Sequence, residues 1–187
     1  MIWYLMRHGE IESNNKRIYA GWNDEELTRT GKRQIKTASK KLAVLEIDAI
    51  FCSPLKRAVQ TAQILSNDLG VEYFTESSFQ ELKLGNWEGK SEKLIRKIYA
   101  TEWQTWNTRP TELVVEGRET LGELHERVLG GVRKVKDAFQ FDSPLIVSHV
   151  SIIRIIILYA RKMQMDLYRT ISVPNAKIFK VPDVLLR

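Results

Sequence analysis

The chain has 187 residues, 43% hydrophobic and 28% charged, with a formal net charge of +6. This balance describes one ordinary globular domain and excludes a fibrous or disordered chain. The most apolar stretch, Ile152 to Ala160, is broken by Arg154 and is far shorter than the roughly 20 residues a membrane span needs, so no membrane is expected.

A charge of +6 would suit an anionic small molecule, a nucleic acid or merely solubility, but the basic residues are scattered among acids with no block interleaved with aromatics, so no dedicated nucleic-acid binding is expected. The apolar start has neither a basic region before it nor a small-residue cleavage site, so no signal peptide is expected. One cysteine, Cys52, cannot form an intrachain disulfide, and a reducing cytoplasm fits.

In chain order, Met1 to Met6 reads as a short buried strand delivering Arg7-His8-Gly9 at its end. A polar segment, Glu10 to Arg29, is long enough for a functional loop. Thr30-Gly31 opens a helix through Val44, striped by Ile35, Ala38 and Leu42. Asp48 to Cys52 is a second strand, after which Ser53-Pro54 reads as N-cap and first residue of a helix to Leu69. Val71 to Thr75 is a third strand, and a loop holding Gly85, Trp87 and Gly89 follows. Short helical pieces are expected at 91–100 and 103–106, with a break at Arg109-Pro110. Glu119 to Phe139 has the apolar stripe of a long amphipathic helix. Leu145 to Ser148 is a fourth strand ending at His149, then come a buried helix, Ile152 to Lys162, and a last strand, Ala176 to Val181.

Strands alternating with helices predict a single α/β domain, a three-layer sandwich with a mostly parallel central sheet. Ligands of such sheets sit beyond the carboxyl ends of the strands. Arg7, His8, Arg57 and His149 all follow predicted strands at that edge. Two guanidiniums and two imidazoles there describe an anion site, and the arginine fork matches phosphate oxygens and keeps its charge. A neutral imidazole attacks phosphorus without a separate base, and a protonated His149 with the arginines would meet the charge growing on the equatorial oxygens. The helix starting at Pro54 would add N–H groups and its dipole. The departing alkoxide needs a proton, for which Glu81 is the best placed donor, ahead of Glu10 and Glu88. His125 lies inside the long helix and is assigned to its partly exposed side. Cys52 with Arg57 lacks the glycines and the spacing of a cysteine-phosphatase loop and reads as a buried hydrophobe.

Arg7-His8-Gly9-Glu10 resembles the signature of the histidine phosphatase superfamily, in its phosphoglycerate-mutase-like branch. The similarity continues through Asn14, Ala20-Gly21-Trp22-Asn23, Leu27 to Gly31, Ser53 to Ala62, Glu81 to Gly89 and Ser148-His149, in order from residue 1 to about 180. The resemblance implies that His8 takes the phosphoryl group while Arg7, Arg57 and His149 hold it, that Glu81 protonates the leaving oxygen and then activates water, and that Asn14, Gly21 and Val150 contact phosphate or substrate. It implies no metal and no cofactor. The family usually has glycines after its second histidine, whereas Val150-Ser151 stands here, and Ile11 replaces a small polar residue common in the mutases.

The mutases carry a basic Arg-Arg-His-Tyr-like stretch between the acid and the second histidine, and residues 82–148 contain none. A phosphatase of a small phosphorylated metabolite is therefore expected, and the Leu84 to Lys90 loop looks like that of the α-ribazole and broad-specificity phosphatases. A cofactor-dependent phosphoglycerate mutase is the alternative, and an inactive phosphate- or protein-binding module is the alternative of another class. Substrate choice is expected to lie in a small cap, about residues 83–118, where Tyr99, Trp87, Trp103 and Trp106 either wall the pocket or pack the cap onto the domain. Residues 171–181 offer an edge strand through which a homodimer would pair.

Overall fold

The computed structural model describes residues 1–183. Strands β1 (Ile2–Arg7), β2 (Ala49–Cys52), β3 (Tyr73–Thr75), β4 (Pro144–Ser148) and β5 (Ile178–Pro182) form one sheet in the order β3-β2-β4-β1-β5. β1 to β4 are parallel, and β5 closes one edge antiparallel to β1, so the mostly parallel sheet is as expected. The helices are α1 (Glu12–Asn15), α2 (Arg29–Leu42), α3 (Lys56–Leu69), α4 (Glu92–Ile98), α5 (Ala100–Thr108), α6 (Leu121–Ala138) and α7 (Val150–Ala160).

Side chains alternate across a strand, which divides the apolar residues into two cores. Trp3, Leu5, Phe51 and Ile146 face one way and pack with Leu124, Val128 and Val132 of α6 and with Ile152, Ile153, Ile155, Ile156 and Ile157 of α7. Tyr4, Met6, Ile50, Cys52, Leu145 and Val147 face the other way and pack with Ile35 and Leu42 of α2 and Ala58, Ala62 and Leu65 of α3. The sandwich thus has helix layers on both faces. Cys52 lies wholly inside the second core, and burial pushes its thiol up to about 12, which removes it from thiolate chemistry.

Several boundaries move, each for a local reason. Thr28, not Thr30, caps α2: its Oγ1 accepts the Gly31 N–H at 2.9 Å. The segment 10–29 is not all loop, because α1 forms within it. α7 starts two residues before Ile152, with His149 at its N-cap. The Ser53-Pro54 start of α3 is corrected: the helix begins at Lys56 with Leu55 at the cap. Ser53 Oγ instead meets His149 Nε2 at 2.7 Å, and the Asp24 carboxylate takes the Lys56 N–H at 2.7 Å. That helix end is thereby occupied, so the expected contribution of its N–H groups to phosphate is withdrawn.

Residues 83–118 hold α4, α5 and short 3-10 turns. Trp87 is fully buried there, its ring 6.1 to 6.4 Å from those of Tyr99, Trp103 and Trp106. Of the four aromatics only Trp106 lines the large cavity described below, so the cluster mainly packs this segment onto the domain.

The backbone after β1 is pressed against the start of α2. Thr28 N–H reaches Glu10 O at 2.9 Å, Thr28 Oγ1 donates to Glu10 Oε1 at 2.7 Å, and Glu10 N–H reaches Gln34 Oε1 at 2.9 Å. A Cβ on Gly31 would stand 2.3 Å from Glu10 O, a backbone atom with no freedom to retreat. Gly31→Ala is therefore expected to cost about 1–3 kcal/mol of stability, read as a lower urea midpoint at unchanged m-value; an unchanged midpoint would show that the contact is looser than this geometry.

Candidate active site

The parallel register explains how residues distant in sequence converge. Arg7 pairs with Ser148 across β1 and β4, and Cys52 pairs with Val147 across β2 and β4. The next residues of these three strands, His8, His149 and Ser53, therefore emerge side by side. The His8 N–H bonds Ser148 O at 3.0 Å, and the Ser53 N–H bonds Val147 O at 3.1 Å. The two imidazole centroids end 5.1 Å apart.

The hydrogen bonds assign each ring its tautomer. His8 Nδ1 lies 2.7 Å from Gly9 O. A carbonyl only accepts, so Nδ1 carries the proton and Nε2 keeps its lone pair. His149 has the opposite form. Arg57 Nε donates to His149 Nδ1 at 3.3 Å, so the proton is on Nε2, which meets Ser53 Oγ. Burial and the neighbouring arginines hold both histidines well below the usual histidine value. His149 would meet phosphoryl charge only if protonated, and that is not the form held here, since an imidazolium cannot accept from Arg57. His149 also stands behind His8 and is not among the side chains lining the cavity.

That cavity, roughly 530 Å³, lies beyond the carboxyl ends of the strands, and Arg7, His8, Asn14, Gly21, Arg57, Glu81 and Val150 all line it. Arg7 is tied by Nη1 to Val173 O at 2.9 Å, while its buried Nε has no partner. Burial lowers it to about 10, against the pull of Glu81, and the guanidinium remains charged near neutral pH. Arg57, 1% exposed, donates Nη1 to Asn23 O and Nη2 to Gly21 O, each at 2.7 Å. Gly21 has φ +52, and a Cβ on it would stand 2.5 Å from Glu88 Oε2, so glycine lets the loop turn its carbonyl toward Arg57. Asn14 Oδ1 accepts from the Ile11 N–H and from Asn175 Nδ2, which also holds His8 O.

Glu81 Oε1 accepts the N–H groups of Leu82 at 2.8 Å and Ser151 at 3.3 Å, which leaves Oε2 as the oxygen able to carry a proton. Its loop is braced by Arg127 of α6, which donates to the carbonyls of Ser78, Gln80 and Glu81 and is paired with Glu119 at 2.7 Å. Trp22 Nε1 donates to the same Glu81 carbonyl at 2.7 Å. Glu10 and Glu88 do not line the cavity, Glu10 being engaged with Thr28. His125 is partly exposed beside Glu126.

Sequence reading gave Ser53 a cap's role in place of its contact with His149, and missed Arg127, Asn175 and three further arginines in the cavity wall, Arg17, Arg154 and Arg169. Arg154 did leave a signal, as the one charge inside an apolar helix. Arg127 and Asn175 act through carbonyls, which no residue pattern announces. Among the described residues, no group of three or more His, Cys, Asp or Glu side chains is placed to hold a metal ion, and no helix is long and apolar enough to cross a membrane.

The family description "Histidine phosphatase superfamily (branch 1)" matches residues 3–182. Phosphoserine phosphatase 1 of Hydrogenobacter thermophilus is 30% identical over 145 residues, which cover 78% of this chain and 69% of that protein. Probable phosphoglycerate mutase GpmB of Escherichia coli is 31% identical over 150 residues, covering 78% and 68%. Among solved structures, Bacillus stearothermophilus YhfR has a TM-score of 0.89 at 25% identity over 96% of this chain and 89% of that one. A mycobacterial glucosyl-3-phosphoglycerate phosphatase in complex with VO3 shares the fold, with a TM-score of 0.88 at 21% identity over 96% and 91%.

Two outcomes follow from this geometry. An unfolded histidine takes up a proton below about pH 6.5, whereas folded His8 and His149 stay neutral to much lower pH. Their contribution to stability is thus complete above about pH 6.5 and is lost as pH falls toward the folded values, with a slope of up to about 1.4 kcal/mol per pH unit for each ring. Urea denaturation from pH 7 to 5 in phosphate-free buffer should show this slope, and His8→Asn should remove about half of it; an unchanged slope would mean His8 charges in the folded state. Arg127→Met should lower kcat roughly 10- to 100-fold by loosening the Glu81 loop, with Arg127→Lys, which lacks the fork, recovering little. A variant with wild-type kcat would show that Trp22 and the backbone suffice.

Proposed function

This chain belongs to the histidine phosphatase superfamily, branch 1, and on that premise we propose that it hydrolyses a small phosphomonoester through a phosphohistidine on His8. The family and the phosphatase related to it make the chain a phosphatase; the covalent route and the substrate class are our reading. One observation carries it: the Gly9 carbonyl holds the Nδ1 proton of a His8 kept neutral by burial, so Nε2 presents a lone pair beside two guanidiniums.

In the first step His8 Nε2 attacks phosphorus, the bond to the leaving oxygen breaks, and Glu81 Oε2 gives that oxygen its proton. Arg7 and Arg57 hold the transferring group and meet its equatorial charge, which is the main protein contribution to phosphoryl transfer. At the start of α7 the Val150 N–H adds to that field, while the next one, Ser151 N–H, is held by Glu81 Oε1. In the second step Glu81, now a carboxylate, takes a proton from water. The hydroxide formed attacks phosphorus, and the P–N electron pair returns to Nε2. Arg57 acts both on the phosphoryl group and on His149, and its rigidity sets the site.

The similarity to a probable phosphoglycerate mutase favours a second reading, in which the phosphohistidine is returned to a second substrate oxygen instead of water. Incubation with 3-phosphoglycerate and a trace of 2,3-bisphosphoglycerate separates the two: free phosphate supports the hydrolase and interconversion the mutase. For the central claim, p-nitrophenyl phosphate should be hydrolysed in the presence of EDTA, and His8→Ala should reduce kcat at least 1000-fold, the scale on which loss of a nucleophile is felt. Rapid acid-free quench with labelled substrate should trap label on wild-type protein only. An active His8→Ala enzyme would overturn the assignment.

A further inference from the structure

The cavity wall carries more positive charge than transfer of one phosphoryl group requires. Arg7 and Arg57 suffice to clamp it, yet Arg17, Arg154 and Arg169 also line the space, against only Glu81 and Glu92. Among the described residues, neither Arg154 nor Arg169 has a carboxylate within 4 Å. Glu92 is itself paired with Arg96 at 2.5 Å.

Both side chains are held in place without being neutralised. Arg154 projects from α7, gives its Nε–H to Ile171 O at 2.9 Å and lies 5.0 Å from the centre of the Tyr168 ring. Arg169 lies against Trp103 and Trp106, 5.1 and 5.5 Å from their ring centres, and its buried Nη1 has no hydrogen-bond partner. Burial lowers both Arg7 and Arg169, and the charge of Arg154 lowers each further, so Arg154 links the phosphate clamp to the outer arginine. Mutually repelling guanidiniums with an unsatisfied buried N–H are costly unless an anion completes them. Trp106 and Tyr168, ring centres 5.4 Å apart, provide an apolar wall for the carbon skeleton between.

We propose that Arg154 and Arg169 form a second anion subsite, and that the preferred substrates are phosphomonoesters whose alcohol part itself carries a carboxylate or a second phosphate. This rests on the phosphatase reading above and adds to it the class of leaving group. Residues 82–148 carry no basic stretch of the mutase kind, and both cations of this wall come from after His149. A purely structural role for the two arginines would affect all substrates alike, whereas an anion subsite discriminates by charge.

The test compares four probes with wild-type protein: 3-phosphoglycerate, fructose 1,6-bisphosphate, glycerol 3-phosphate and p-nitrophenyl phosphate. The kcat/KM for the better of the two doubly anionic esters should exceed that for glycerol 3-phosphate by at least about tenfold, the size of one good charged hydrogen bond. Which of the two is favoured identifies carboxylate or phosphate as the second group. Arg154→Met and Arg169→Met should each reduce that ratio at least about fivefold, mainly through KM, and Arg169→Lys should restore part of it. Equal rates on glycerol 3-phosphate and both doubly anionic esters would overturn the subsite, and so would variants that slow all four probes equally. The wild-type ratio decides even if a variant fails to fold. Absence of hydrolysis of every probe would instead overturn the phosphatase reading, and the subsite with it.

Discussion

Arg57 is the constraint on which the rest of the site depends. Its guanidinium is buried and spends each nitrogen on a different neighbour: Gly21 O, Asn23 O and His149 Nδ1. Those contacts close the 20–23 loop over the strand ends and fix the tautomer of His149. The helix that carries it is tied to the backbone next to His8, because Thr61 Oγ1 donates to Arg57 O and accepts the Gly9 N–H. A buried cation is normally costly. Here Asp24, Glu25, Glu81 and Glu88 offset part of that cost from a distance, without any of them making the close ion pair that would neutralise it.

From this follows a division of labour between two histidines of the same chemical type. Each is neutral because it is buried among arginines, but the acceptor or donor set beside each ring differs. A carbonyl facing Nδ1 frees the Nε2 lone pair of His8; a guanidinium facing Nδ1 leaves His149 with its proton turned to Ser53. The fold produces this from ordinary parallel register, since His8, His149 and Ser53 each stand one residue beyond paired strand ends.

Much of this was legible in the sequence. Runs such as Met1 to Met6 and Leu145 to Ser148 are short and apolar because their strands are buried on both faces, and the residues just beyond them include His8 and His149, which the sheet brings together. The helices were legible in kind but not in their first residues. Ser53 shows why: a serine before a proline has the chemistry of a cap, yet its hydroxyl is claimed by an imidazole 96 positions away. Arg169 was illegible for the same reason, since the rings it rests on, Trp103 and Trp106, come from another part of the chain. Arg127 sits on the polar side of an amphipathic helix, where pattern alone reads solvent, while its fork is folded around three carbonyls of the Glu81 loop.

The orphaned N–H groups of Arg7 and Arg169 have a thermodynamic meaning beyond recognition. An anion entering the cavity offers these N–H groups an acceptor. Since only the folded chain presents that cavity, occupancy raises the free energy of unfolding by RT ln(1 + [L]/Kd). Inorganic phosphate, the product of the reaction proposed here, fits the same clamp. The chain's persistence in solution is then coupled to the ambient level of its own product, which makes the site a part of the folding equilibrium as well as of the chemistry.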